Sequence, residues 1–128
     1  MVLVEIVTAL ALLQYFLFSV LVGQARVKYG VMAPAVTGHE MFERHYRVQM
    51  NTLEVLVLVL PSLWLAARYW SPLLVAGLGV VYLVGRFVYL RAYVRDPASR
   101  GTGFVLSLGP AMTLLLAGLA GAVQAAFK

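Results

Sequence analysis

No cysteine occurs among the 128 residues, which excludes a disulfide framework, a thiolate metal site and a cysteine nucleophile together. Any sulfur chemistry has to arrive with a ligand. Charge is scarce as well: Asp, Glu, Lys and Arg make up 12% of the chain against 62% hydrophobic residues, at a mean hydropathy of +0.90. That much apolar surface exceeds what one soluble core of this length hides, so lipid has to cover the rest. Acidic residues are scarcest of all, five against ten Lys and Arg, for a formal net charge of +5. Such a balance suggests nucleic acid only until the bases are placed along the chain.

Spanning a hydrocarbon core of about 30 Å takes roughly 20 apolar residues as helix. Four such stretches, at about 2–22, 40–70, 73–93 and 104–127, nearly exhaust the sequence. The expectation is therefore an all-α protein, an integral membrane four-helix bundle, with residues 1–128 forming a single domain and no room for a separate soluble one. The first stretch opens on Glu5 and is followed by Arg26 and Lys28, the reverse of a signal peptide's charge order, so it reads as a retained helix. Residues 26–38 contain Gly30, Pro34 and Gly38 and read as a loop. Thr37 and Glu40 have the spacing of a capping box for the second helix. That helix is longer than a bilayer core is thick, so His39, Glu43 and Arg44 are expected in the interface or in water, and Pro61 is expected to kink it. Tyr69-Trp70-Ser71-Pro72 reads as a turn and residues 94–103 as a second loop.

Eight bases, Arg26, Lys28, Arg44, Arg47, Arg86, Arg91, Arg95 and Arg100, lie in or beside the first and third connections, and only Arg68 and Lys128 lie at the other end. The positive-inside bias puts those connections in the cytoplasm and both termini outside. Positive charge here is first a topology signal, and no nucleic-acid partner is expected. The lack of a long soluble tail and of obvious targeting elements suits a bacterial inner membrane, with a eukaryotic internal membrane as the alternative.

Glu43, Arg47, Asn51 and Glu54 are spaced by four, four and three and share one face of the second helix. A charge deep in lipid costs at least ~2.5–3.5 kcal/mol, so this stripe has to face the bundle interior, a neighbour or a ligand. Arg86, Tyr89 and Tyr93 repeat the pattern on the third helix. If the two stripes meet, they enclose a cleft with Arg26 and Arg100 at its rim. A bland reading competes: intramembrane Arg and Glu neutralise each other to pack, and Tyr at a helix end is often an interface anchor. The excess of arginine over acid weighs against it, because surplus guanidinium implies an anionic guest. Carboxylates for the arginines and an ammonium for Glu54 describe a zwitterionic peptide.

The run from Phe42 to Glu54, Phe42-Glu43-Arg44-His45-Tyr46-Arg47-Val48-Gln49-Met50-Asn51-Thr52-Leu53-Glu54, resembles the signature of the membrane-associated proteins in eicosanoid and glutathione metabolism, the family of microsomal glutathione transferases and leukotriene C4 synthase. Ala25-Arg26, Arg86-Phe87-Val88-Tyr89, Tyr93, Arg95 and Arg100 fall at the same family's spacings, so the likeness covers essentially the whole chain. The resemblance implies a homotrimer with active sites between subunits, opening to the cytoplasm and laterally to the bilayer. It also implies glutathione as co-substrate, with Arg47, Asn51, Glu54, Tyr89 and Tyr93 holding the peptide and Arg26, Gln49 and Arg86 completing its polar surround. Arg100 matches the arginine that stabilises the thiolate, with Tyr93 assisting orientation or proton supply. The chemistry is sound: a thiol of pKa about 8.5 is only a few per cent ionised at neutral pH, and a shift of about two units takes roughly 2.7 kcal/mol, within reach of one guanidinium.

Two positions depart from the leukotriene-forming pattern: Val55 stands where it has a tyrosine, and Val27 where it has a second base. The expected function is a membrane-bound glutathione transferase, with glutathione-dependent peroxidase activity as a companion, acting on hydrophobic electrophiles or lipid hydroperoxides in detoxification. Two other classes remain open: a non-catalytic lipid-binding scaffold of the same family, and a small proton-coupled exporter built on Glu54. His39-Glu40-Met41-Phe42-Glu43 resembles half of a zinc-protease helix but lacks the second histidine, so no metal is expected.

Overall fold

Each apolar stretch forms a helix, and no strand is present. A computed structural model describes residues 1–128 as α1 (Val2–Tyr29), α2 (Glu40–Tyr69), α3 (Pro72–Arg95) and α4 (Gly101–Ala126), with a 3-10 turn at Pro97–Ser99 before α4. All four helices are long and apolar enough to cross a bilayer. Their outward faces carry large apolar side chains, among them Phe16, Val57, Leu74 and Leu116, as lipid contact requires.

The first helix outlasts the expected boundary near residue 22 by two turns. Hydropathy marks where a chain leaves lipid, not where its helix ends. Arg26 and Lys28 occupy the last turn of α1, where positive charge offsets the helix dipole, and Gly30 stops the helix at φ 69°, its N–H bonded to the Arg26 carbonyl. The connection is therefore shorter than residues 26–38 suggested. The Thr37–Glu40 capping box does not form either. His39 is the N-cap, its Nδ1 accepting from the Met41 N–H at 3.1 Å, while the Glu43 carboxylate accepts from the Gly38 N–H at 3.3 Å. Glu40 is left to pair with Arg44 one turn on. Pro61 lies within α2, which runs on to Tyr69 as one helix.

Helices α2 and α3 are the centre of the bundle, with α1 against them on one side and α4 on the other. The main core draws Val4, Val7 and Ala11 from α1, Val59 and Leu63 from α2, Tyr82 from α3 and Leu114 from α4. Small residues set the spacing around α4. A Cβ at Gly103 would fall 2.4 Å from the Tyr89 backbone nitrogen, and one at Gly85 would fall 2.7 Å from the Leu106 carbonyl carbon, so α3 and α4 touch backbone to backbone. At the same end of the bundle, Arg44 of α2 donates to the carbonyls of Val94 at 2.8 Å and Arg95 at 3.1 Å, satisfying the last turn of α3.

Candidate active site

The helix ends fastened in this way enclose a cleft between α2, α3 and the start of α4. Arg47 and Asn51, one turn apart on α2, face Tyr89 and Tyr93, one turn apart on α3. The 3-10 turn folds the chain back so that Arg100, at the start of α4, closes the third side, with Phe104 one turn further along. The open cleft has a volume of about 680 Å³, large enough for a small peptide. The two tyrosine rings lie 5.5 Å apart between centroids. Arg100 donates one hydrogen bond within its own turn, from Nη1 to the Pro97 carbonyl at 2.9 Å, which holds the guanidinium over the cleft.

Arg86 lies beneath this floor and is wholly buried. Its Nη2 donates to the Asn51 side-chain oxygen at 2.9 Å, and its guanidinium stacks 4.2 Å from the Tyr89 ring centre. Nε and Nη1 of Arg86 have no partner. Arg86 thus touches the cleft through two lining residues and does not line it. No acidic residue borders the cleft, and the chain's one ion pair, Arg44 with Glu40, lies elsewhere. The electrostatic character is cationic, suited to carboxylate or thiolate.

Five of the residues singled out in the sequence, Arg47, Asn51, Tyr89, Tyr93 and Arg100, meet here. Three others do not join them within one chain. Glu54 stands on the outward side of α2, exposed and without an ion pair, because the polar stripe straddles the border between the packed and open faces of the helix. Gln49 is about 200° around α2 from both Arg47 and Asn51 and donates to the Ser19 hydroxyl on α1 at 2.9 Å. Arg26 donates to the Ala35 carbonyl at 2.6 Å and covers the Phe42 ring, on the α1 side of the bundle. The expected rim position of Arg26 is therefore not found in the single chain: α1 and α4 pack on opposite sides of the central pair.

Ser19, Phe104 and the clamp made by Arg44 escaped the sequence reading. Phe104 had a signal, since it follows Arg100 by one helical turn. Ser19 had only the oddity of a hydroxyl within an apolar span.

Four membrane-crossing helices with an arginine-walled, tyrosine-floored cleft at their ends define a multi-pass integral membrane protein with a polar site at the membrane boundary. The chain belongs to the MAPEG family, whose family model matches residues 4–120. An uncharacterised protein of Synechocystis sp. is 47% identical over 114 residues, covering 89% of this chain and 83% of its own. Human microsomal glutathione S-transferase 2 is 40% identical over 120 residues, covering 94% of this chain and 82% of its own. Bovine leukotriene C4 synthase is 38% identical over 94 residues, covering 73% of this chain and 63% of its own.

Proposed function

We propose that the protein is a membrane-bound glutathione transferase that adds the glutathione thiolate to hydrophobic electrophiles dissolved in the bilayer. The observation that carries this reading is the cleft of Arg47, Asn51, Tyr89, Tyr93 and Arg100, which gathers guanidinium groups with no acid to neutralise them. The likeness to microsomal glutathione S-transferase 2 supports it.

In this reading Arg47 and Asn51 bind the peptide's carboxylate and amide groups, and Arg86 holds Asn51 in place from below. Arg100 stabilises the thiolate, and Tyr93 orients it or supplies a proton. The thiol proton leaves to solvent, the sulfur forms a bond to the electrophilic carbon, and the departing group takes the bonding electrons. With a lipid hydroperoxide the same thiolate attacks the peroxide oxygen and an alcohol departs; a second glutathione then completes the reduction, giving glutathione disulfide and water. Val55 is buried in the core and Val27 is 86% exposed, so neither supplies the polar contact of the leukotriene-forming pattern, which favours the transferase branch.

A homotrimer completes the site. Two features support this: Glu54 is an unpaired carboxylate on an outward membrane face, and Arg26 and Gln49 lie on the side of the chain away from the cleft. A neighbour would bring its α1 side, with Arg26 and Gln49, against the α2 face that carries Glu54, where the peptide's ammonium would meet the carboxylate. The distribution of bases supports a cytoplasmic site with both termini on the far side, and the likeness to a Synechocystis protein supports a bacterial inner membrane as the location.

The test is an ultraviolet difference titration of the detergent-purified protein with glutathione at neutral pH. Saturating thiolate absorbance is expected in the wild type. Arg100→Ala should keep glutathione affinity within about threefold and lose most of the thiolate signal, with turnover down by about 10–100-fold for a one- to two-unit rise in thiol pKa. Undiminished thiolate absorbance in that variant would remove Arg100 from its role. A wild type that binds no glutathione would sink the proposal.

A further inference from the structure

A second concavity of about 680 Å³ lies at the same end of the bundle, between α1, the start of α2 and the end of α3, and neither Arg26 nor Gln49 lines it. Its walls are split by polarity. Leu21 of α1, Met41 of α2 and Val88 and Leu90 of α3 give it an apolar side. Arg44, Arg91 and Arg95, with His45 beside them, give it a polar and cationic one. Arg91 and Arg95 are one turn apart in the last turns of α3, both exposed, and neither makes an ion pair.

The acids nearby are already engaged. Glu40 pairs with Arg44, and the Asp96 carboxylate accepts from the Ala98 N–H at 3.1 Å. Arg44 is committed to the Val94 and Arg95 carbonyls, and His45 donates through Nδ1 to the Met41 carbonyl at 2.8 Å. Arg91 and Arg95 are therefore the free cations, held at a fixed spacing above an apolar wall. Helix α3 is largely apolar up to Leu90 and turns basic at Arg91 and Arg95, so its hydropathy puts the pair where the chain leaves the hydrocarbon, at the depth of lipid phosphates.

We propose that this groove is a binding site for an anionic glycerophospholipid of the surrounding leaflet, its phosphate between Arg91 and Arg95 and one acyl chain along Leu21, Val88 and Leu90. Charge complementarity and the split lining argue for this occupant: a soluble anion would leave the apolar wall uncovered, and a neutral lipid would leave two arginines without a counter-ion. Bases placed only for topology require neither a groove nor a fixed spacing.

The experiment measures the selectivity of the full-length protein, reconstituted in phosphatidylcholine vesicles, for spin-labelled phosphatidylglycerol over spin-labelled phosphatidylcholine. The wild type is expected to prefer the anionic lipid. Arg91→Gln should cut that preference about fivefold, the worth of one base near an anionic surface, and the Arg91→Gln/Arg95→Gln double variant should abolish it. Lys28→Gln removes one charge from the exposed end of α1, outside the groove, and should leave the preference intact. Equal preference in all four proteins, or an equal loss in Lys28→Gln and Arg91→Gln, would overturn the proposal, the second pointing to diffuse surface charge. So would displacement of the labelled lipid by millimolar inorganic phosphate as readily as by a short-chain phosphatidylglycerol, which would mark a free-phosphate site.

Discussion

Gly103 tests whether the contact between α3 and α4 sets the geometry of the cleft. It lies three residues after Arg100 and packs against Tyr89, so it joins two walls of the site. In Gly103→Ala the new Cβ would stand 2.4 Å from the Tyr89 nitrogen and 2.5 Å from its Cα. Those are backbone atoms, which cannot turn aside as a side chain does. Restoring an ordinary separation of roughly 3.5 Å requires α4 to move by about 1 Å at this level, or Tyr89 to move with α3. Overpacking of this kind costs about 1–3 kcal/mol, and misplacing a catalytic group by about 1 Å can cost on the order of 100-fold in rate. Gly109→Ala provides the comparison: it lies in the same helix, with nothing within 4 Å of its Cβ position, and should be neutral or slightly stabilising. Thermal unfolding in detergent and thiolate absorbance are measured on both variants. Gly103→Ala should melt several degrees lower and lose thiolate signal, and Gly109→Ala should match the wild type. A Gly103→Ala protein with wild-type melting and thiolate signal would refute the close approach and the claim that it positions Arg100.

Further outcomes follow from individual contacts. Arg44→Gln removes the donors that satisfy the Val94 and Arg95 carbonyls and should cost about 1–3 kcal/mol in a denaturant or thermal unfolding experiment; unchanged stability would show that these carbonyls find other donors. Arg86→Met removes a buried cation with two unpaired nitrogens, so stability should hold or rise, while Asn51 loses its anchor and glutathione affinity should fall about tenfold by calorimetry; unaltered affinity would remove Arg86 as a positioning residue. Glu54→Gln should weaken glutathione binding at least tenfold, the worth of a charge-assisted hydrogen bond, without lowering stability in the absence of glutathione. Substrate-driven proton movement in vesicles, lost in Glu54→Gln, would instead support a proton-coupled exporter.

The four helices were legible because lipid imposes a run length that hydropathy registers directly. Their ends were less so. The last two turns of α1 contain Gln24, Arg26 and Lys28, which are poor membrane residues but good helix formers, and the stop is written by Gly30. Thr37 and Glu40 matched a capping pattern, yet His39 took the cap and left Glu40 free for Arg44. In the site, helical spacing grouped Arg47 with Asn51 and Tyr89 with Tyr93 correctly, because residues a turn apart must share a face. It could not say which side of α2 each neighbouring helix covers, and that decides the rest. Gln49 and Arg26 went to the α1 side, and Glu54 faced outward. Spacing along one helix gives direction around its axis, whereas membership of a site depends on how helices are arranged about one another.

The cleft also has a logic in the way its walls are fixed. Its rim is fastened by side chains reaching backbone groups at helix ends: Arg44 to the end of α3, Asp96 to the Ala98 N–H, and Arg100 to the Pro97 carbonyl. Its floor is fastened by close packing, with Gly103 against Tyr89 and Arg86 locked between Asn51 and the Tyr89 ring. In the proposed reaction, a guanidinium already held where negative charge would develop needs no reorganisation when a thiol ionises, so its attraction is not spent on ordering itself. The outward face of α2 contrasts with this: Glu54 is exposed and lacks a counter-ion within a membrane-crossing helix, where a bare carboxylate is costly. The half of the site that one chain holds rigidly is the half proposed to act on sulfur, and the half it leaves open is the one a neighbouring subunit and the peptide's ammonium would have to fill.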